Sequence, residues 1–97
     1  MQIIENWTDI QGKIVSCAVS QQLPGYVVLE LAVEKADEVA GVANLLSQAA
    51  GQTLVVLVPD ELAPLNECRP DVEVVCRVRR AAKNRVFIHP EQFTLKA

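Results

Sequence analysis

Aromatic residues are scarce in this chain. One Trp, one Tyr and two Phe make up 4% of its 97 residues, beside a single His and a single Met. Gly12, Gly25, Gly41 and Gly51 stand isolated, so no glycine-rich loop cradles a phosphate. The longest apolar run, Leu54 to Pro59, falls far short of the ~20 residues of a membrane-spanning helix, and no membrane partner is expected. Met1 to Ile10 carries Glu5 and Asp9 and no basic start, which argues against a secretory signal or a basic transit peptide and for a cytoplasmic location. Cys17, Cys68 and Cys76 are odd in number and widely spaced, the pattern of reduced thiols rather than of a disulfide framework. A closed zinc site needs all three together with His89, since no two cysteines stand at knuckle spacing; neither a metal nor another cofactor is expected. No nucleophile stands beside a base, and Asp60 and Glu61 read as the start of a helical turn, so the chain is read as a non-enzyme. A thiolate pairing of Cys68 or Cys76 with His89 is the enzymatic alternative, and it requires those side chains to meet on one face.

What the chain does contain is apolar patterning. Apolar residues make up 51% and charged residues 22%, a globular balance, and the length suits one domain spanning 1–97. From Gly12 to Ser20 a period of two places Val15, Cys17 and Val19 on one face of a strand, ended by the break at 21–25. Tyr26 to Glu34 is the clearest strand: Val27, Leu29, Leu31 and Val33 point inward while Tyr26, Glu30 and Glu34 face water. Asp37 then reads as a helix N-cap. Val39, Val42, Leu45, Leu46 and Ala49 follow at spacings of three and four, and Gly51 supplies a left-handed stop, which predicts one helix at about 38–50. Thr53 to Val58 is apolar on both faces and reads as a strand covered twice.

Two further alternating runs close the chain. Asp71 to Arg80 sets Val72, Val74, Cys76 and Val78 against Glu73, Val75, Arg77 and Arg79, and Arg85 to His89 sets Val86 and Ile88 against Arg85, Phe87 and His89. A hairpin with a five-residue loop, pairing Val78 with Val86 and Arg79 with Arg85, keeps one face apolar. Charge is segregated along the sequence, although the net charge is only −3. Residues 1–68 hold nine acids and two bases, whereas 69–97 hold seven bases and three acids. The candidate binding residues are therefore Arg77, Arg79, Arg80, Lys83, Arg85, Phe87 and His89 on the outer face and tip of the hairpin. Guanidinium groups around an exposed aromatic stack on rings and pair with anions. The competing reading pairs these arginines with Glu30, Glu34 or Glu73 on neighbouring strands. The motif Asn6-Trp7-Thr8 matches a glycosylation acceptor, with Trp7 read as a core or edge anchor.

The order strand, strand, helix, strand, short turn, strand, strand resembles the OB fold, a five-stranded barrel. The stretch Leu54-Val-Val-Leu-Val-Pro-Asp-Glu-Leu, then Leu65, Asp71-Val-Glu-Val-Val-Cys-Arg-Val-Arg-Arg and Arg85-Val-Phe-Ile, resembles the TOBE domains attached to oxyanion-import ATPases over residues 52–88. The glycine such domains place before the penultimate strand is here Pro70-Asp71. That resemblance implies oxyanion binding or a regulatory interface role. The expected fold class is α+β, mainly β: a five-stranded OB-like antiparallel barrel or curled sheet with one helix packed on it. A mixed sheet in which a crossover makes the strands flanking the helix parallel is the alternative. The expected function is a non-catalytic binding or assembly module, its basic hairpin engaging an acidic protein or a small anion, with self-association along an edge strand. Single-stranded nucleic-acid binding is the second reading.

Overall fold

A computed structural model of the chain describes residues 6–39, 50–63, 67–81 and 85–96. Five strands form in sequence order: β1 (Thr8–Val19), β2 (Tyr26–Glu38), β3 (Thr53–Pro59), β4 (Glu73–Arg80) and β5 (Val86–Lys96). They close into a barrel with the order β1-β2-β3-β5-β4, completed by the pairing of β4 with β1. The ring leaves no strand with an entirely free edge, which is how a barrel suppresses edge-to-edge pairing.

The expected fold class needs correction at two points. The barrel is mixed rather than antiparallel, because β5 lies between β4, to which it is antiparallel, and β3, to which it is parallel at Leu57 and Phe87. No helix occurs among the described residues. Asp37 and Glu38, read as a helix start, instead continue β2 and pair with Asp9 and Thr8. The reason is tertiary: β1 offers an unpaired backbone there, and ladder hydrogen bonds override a weak local capping signal. The remainder of that helix, from 40 to 49, lies outside the described residues. The parallel-crossover alternative fails as well, since β2 and β3 are antiparallel, with Val27 opposite Val58.

The interior is aliphatic. Ile10, Ile14, Leu29, Leu31, Val56, Val58, Val74 and Val78 are all but inaccessible to solvent, and Cys68 and Cys76 are buried among them. The inward set of β2 is the one its alternation predicts. On β1 the phase differs: Thr8, Ile10, Gly12 and Ile14 point inward, while Val15 and Val19 are 46% and 62% exposed. A register shift between Ile14 and Ser16 inserts an extra residue, so Val15, Cys17 and Val19 do not behave as one face: Cys17 packs against the core while Val15 and Val19 are exposed. A second shift, between Gln11 and Gly12, brings β1 so close to β2 that a Cβ at Gly12 would press into the Ala32 carbonyl oxygen. On β3, Val56 and Val58 join the core and Leu57 is covered, but Val55 is 53% exposed, so this strand is covered twice over only part of its length.

The hairpin register is offset by one pair from the expected one, and its tip, 82–84, lies outside the described residues. Arg80 lies opposite Val86, Arg79 opposite Phe87 and Val78 opposite Ile88. Parity survives the slide, so valine and isoleucine still share the interior. The last strand also runs further than its alternation suggests. Pairing lapses around Arg77, where residues 89–92 bulge, and resumes with Phe93 opposite Cys76 through to Lys96 opposite Glu73. Pro90 cannot donate to a ladder, and the bulge is where it sits.

Candidate functional site

The site begins with parity. Asn6 and Thr8 are buried, so Trp7 between them points outward, and Asp9 follows on the same face. Asn6 fixes this register: its side-chain amide donates to the Arg80 carbonyl at 2.9 Å, and its oxygen accepts the Arg80 N–H at 2.8 Å. A buried side chain with both ends engaged is no glycan acceptor in the folded chain, and Trp7 lies half-buried on the outer face rather than in the core.

Tyr26 arrives from the other side. The β1–β2 loop is held by Ser20, whose N–H donates to the Tyr26 carbonyl and whose hydroxyl accepts the Leu23 N–H, with Gly25 at φ +82° completing the turn. Tyr26 therefore opens β2 on its outer face, opposite Pro59. Phe87, second residue of β5, faces outward between Leu57 and Arg79.

These elements converge on one groove. Its volume is about 400 Å³, and it is lined by Trp7, Tyr26, Pro59, Arg79, Phe87 and Pro90, with Ile88 beneath. Tyr26 and Phe87 meet edge to face with ring centroids 5.9 Å apart at 76°, and Trp7 and His89 are tilted at 52° with centroids 5.0 Å apart. Aromatic pairs of this kind contribute about 0.5–1.5 kcal/mol beyond area burial. His89 Nδ1 accepts the Glu91 N–H at 3.1 Å, which leaves Nε2 to carry the proton of the neutral ring.

The seven sequence-derived candidates divide. Phe87 and Arg79 line the groove, and His89 borders it through Trp7. Arg77 shares the outer face but is engaged: its Nε donates to Asp9 Oδ1 at 2.8 Å, with a second nitrogen 3.4 Å from Oδ2. Accepting that hydrogen bond, Asp9 pushes the guanidinium above its ordinary value. Arg80 contributes backbone to Asn6 and ends the strand on the opposite parity. Arg85 gives its carbonyl to the Ala81 N–H at 2.7 Å, and Lys83 lies outside the described residues. Two of the three acids expected to neutralise this face bond to other side chains, Glu73 accepting from Gln11 at 2.8 Å and Glu30 from Ser16 at 3.3 Å. Among the described residues Arg79 has no ion-pair partner.

Sequence reasoning missed Trp7, Tyr26 and Pro59 as site residues. The available signal was Tyr26 on the wet face of a strand, a place where an exposed ring asks for an explanation. The thiolate alternative does not assemble. Cys76 faces the interior while its neighbour Arg77 and the ring of His89 belong to the outside, and burial pushes the Cys76 thiol up to about 12. Cys68 contacts Cys17 instead, and burial first, then Cys17, pushes it too up to about 12. No group of three or more His, Cys, Asp or Glu suited to a metal occurs among the described residues, nor does a helix long and apolar enough to cross a membrane. Comparison with protein-family models, with curated proteins and with solved structures yields no match, TOBE domains included.

Proposed function

We propose that this chain is a non-catalytic binding module that takes single-stranded nucleic acid in the groove between Trp7, Tyr26, Phe87 and Arg79. One observation carries the reading: three of the four aromatic residues in the chain gather on one outward surface, around an arginine that no described carboxylate neutralises. A flat ring recognises a flat ring, and stacking of a base on an aromatic side chain is worth about 1–3 kcal/mol without regard to sequence. Arg79 beside the rings supplies the cation a phosphate needs.

The ring order and the parallel β3–β5 pairing support an OB-like barrel, a fold whose β1–β2 and β4–β5 loops flank an oligomer-binding face. Tyr26 is the first residue after one of these loops and Phe87 the second residue after the other. An acidic protein or a small anion fits this surface less well, because Arg77 is neutralised by Asp9 and the lining of the groove, Arg79 apart, is apolar ring and proline. With a net charge of −3, affinity on this reading rests more on stacking than on counterion release.

Trp7 is the only tryptophan and reports directly. Titration with a single-stranded oligothymidylate is expected to quench its fluorescence saturably at low salt, with a shallow loss of affinity as salt rises and weaker competition by duplex. An unchanged emission at low salt, with no shift in oligonucleotide anisotropy, overturns the reading.

A further inference from the structure

Cys17 and Cys68 are 51 positions apart in sequence, yet Cys17 packs against the core cluster that contains Cys68, and each thiol influences the ionisation of the other. The approach is built by the backbone. The segment before β4 is laced to β1 on both sides of Ile14, whose N–H donates to the Val72 carbonyl and whose carbonyl accepts the Asp71 N–H at 2.8 Å. The register shift just beyond Ile14 sets the phase that turns Cys17 toward the core cluster containing Cys68. Cys68 is buried and Cys17 is half-buried, so a small reagent has access to one sulfur of the pair and not to the other. Cys76, on β4, is buried and has no such partner at hand.

We propose that Cys17 and Cys68 form an oxidisable pair, Cys17 being the entry point for a low-molecular-weight disulfide and Cys68 the resolving thiol. The Cys17 thiolate attacks one sulfur of the small disulfide, breaking its S–S bond and releasing one small thiol as a protein mixed disulfide forms. Cys68 then loses its proton and attacks the Cys17 sulfur, the protein S–S bond forms, and the second small thiol leaves. Two protein thiols are oxidised, one small disulfide is reduced, and both protons end on the released thiols. The bond ties the β3–β4 connection covalently to β1, closing a loop whose ends the native hydrogen bonds already hold together. Burial raises both thiols above their ordinary value, so exchange is slow at neutral pH and accelerates about tenfold per pH unit below the thiol pKa. This inference concerns a different part of the molecule from the groove and does not depend on its ligand.

The test treats the folded protein at mildly alkaline pH with excess glutathione disulfide, quenches with acid, and maps peptides without reduction. The expected product is the full chain lighter by two hydrogens, with a linked peptide pair containing Cys17 and Cys68 and with Cys76 still alkylatable after unfolding. Cys68→Ser is expected to stop at a stable glutathione adduct on Cys17. A wild-type chain that retains glutathione on Cys17, links Cys17 to Cys76, links only between molecules, or stays unmodified while a control dithiol peptide oxidises, overturns the proposal.

Discussion

Asn6 and Arg80 exchange two hydrogen bonds, at 2.9 and 2.8 Å, through a side-chain amide that stands in for one rung of a β-ladder. This rung lies where β1 has not yet begun and β4 is ending, and it sets the orientation of Trp7. Asn6→Ala removes both hydrogen bonds that the buried Asn6 side chain makes to the Arg80 backbone. The expected loss is about 2–3 kcal/mol, read by chemical denaturation, with Trp7 emission shifting to the red in the still-folded variant.

Gly12 marks the tightest approach of β1 and β2. Gly12→Ala sets a methyl group against the Ala32 carbonyl, a backbone atom that can yield only if the two strands separate. A loss of about 1–3 kcal/mol is expected. Gly25→Ala, where nothing lies near the new methyl but φ is positive, isolates the backbone contribution from the steric one in the same assay.

Asp71 holds φ at +70°, the one described non-glycine residue in the left-handed region. Its N–H is committed to the Ile14 carbonyl. A side chain in this conformation costs about 1–2 kcal/mol, less for Asp than for most residues. Asp71→Gly is therefore expected to raise stability by a few tenths to about 1 kcal/mol, the larger entropy of the unfolded glycine chain offsetting part of the relief. Thermal melting checks the sign.

The core of β2 was legible because Val27, Leu29, Leu31 and Val33 alternate without interruption, and so was the outward parity of Arg77, Arg79, Phe87 and His89. Interruptions hid the rest. One inserted residue after Ile14 reverses the phase of β1, so Ile10 and Ile14 fill the core before it and Cys17 turns inward after it, while Val15 is left exposed. Pro90 conceals that Phe93 and Leu95 resume the strand and pack on the core. Asp37 and Glu38 carry a genuine local capping pattern that loses to pairing with β1, a partner more than 25 residues away. The groove itself was the least legible feature, since Trp7, Tyr26 and Phe87 meet only through barrel closure, and no local pattern encodes which strands become neighbours.

Burial of Cys76 carries a pH dependence of definite sign. Its thiol is pushed from 9.0 to about 12 by desolvation, with the charge of Asp9 adding to the shift. Below pH 9 both folded and unfolded chains hold the proton, and the thiol leaves stability unchanged. Between 9 and 12 the unfolded chain ionises while the folded chain does not, so stability falls as pH rises. The difference in unfolding free energy between the wild-type chain and Cys76→Ala, measured from pH 8 upward, is expected to shrink across that window, whereas a constant difference means the folded thiol ionises as readily as the unfolded one.

Stacking and charge at the groove separate by substitution. Phe87→Ala removes one ring face and loosens Tyr26, which packs edge-on against it at 5.9 Å. At about 1–3 kcal/mol per stacked base, oligonucleotide affinity should fall roughly 5- to 150-fold with the salt slope unchanged. Arg79→Gln keeps length and hydrogen bonding but removes the charge beside Phe87. It should weaken binding less, and reduce the slope of log affinity against log salt by about one. Arg77→Gln serves as the contrast: its guanidinium is already engaged by Asp9 at 2.8 Å, so the slope should move far less than with Arg79→Gln. Equal slope changes for the two arginines show that general basicity of the hairpin, rather than the ring-lined groove, attracts the ligand.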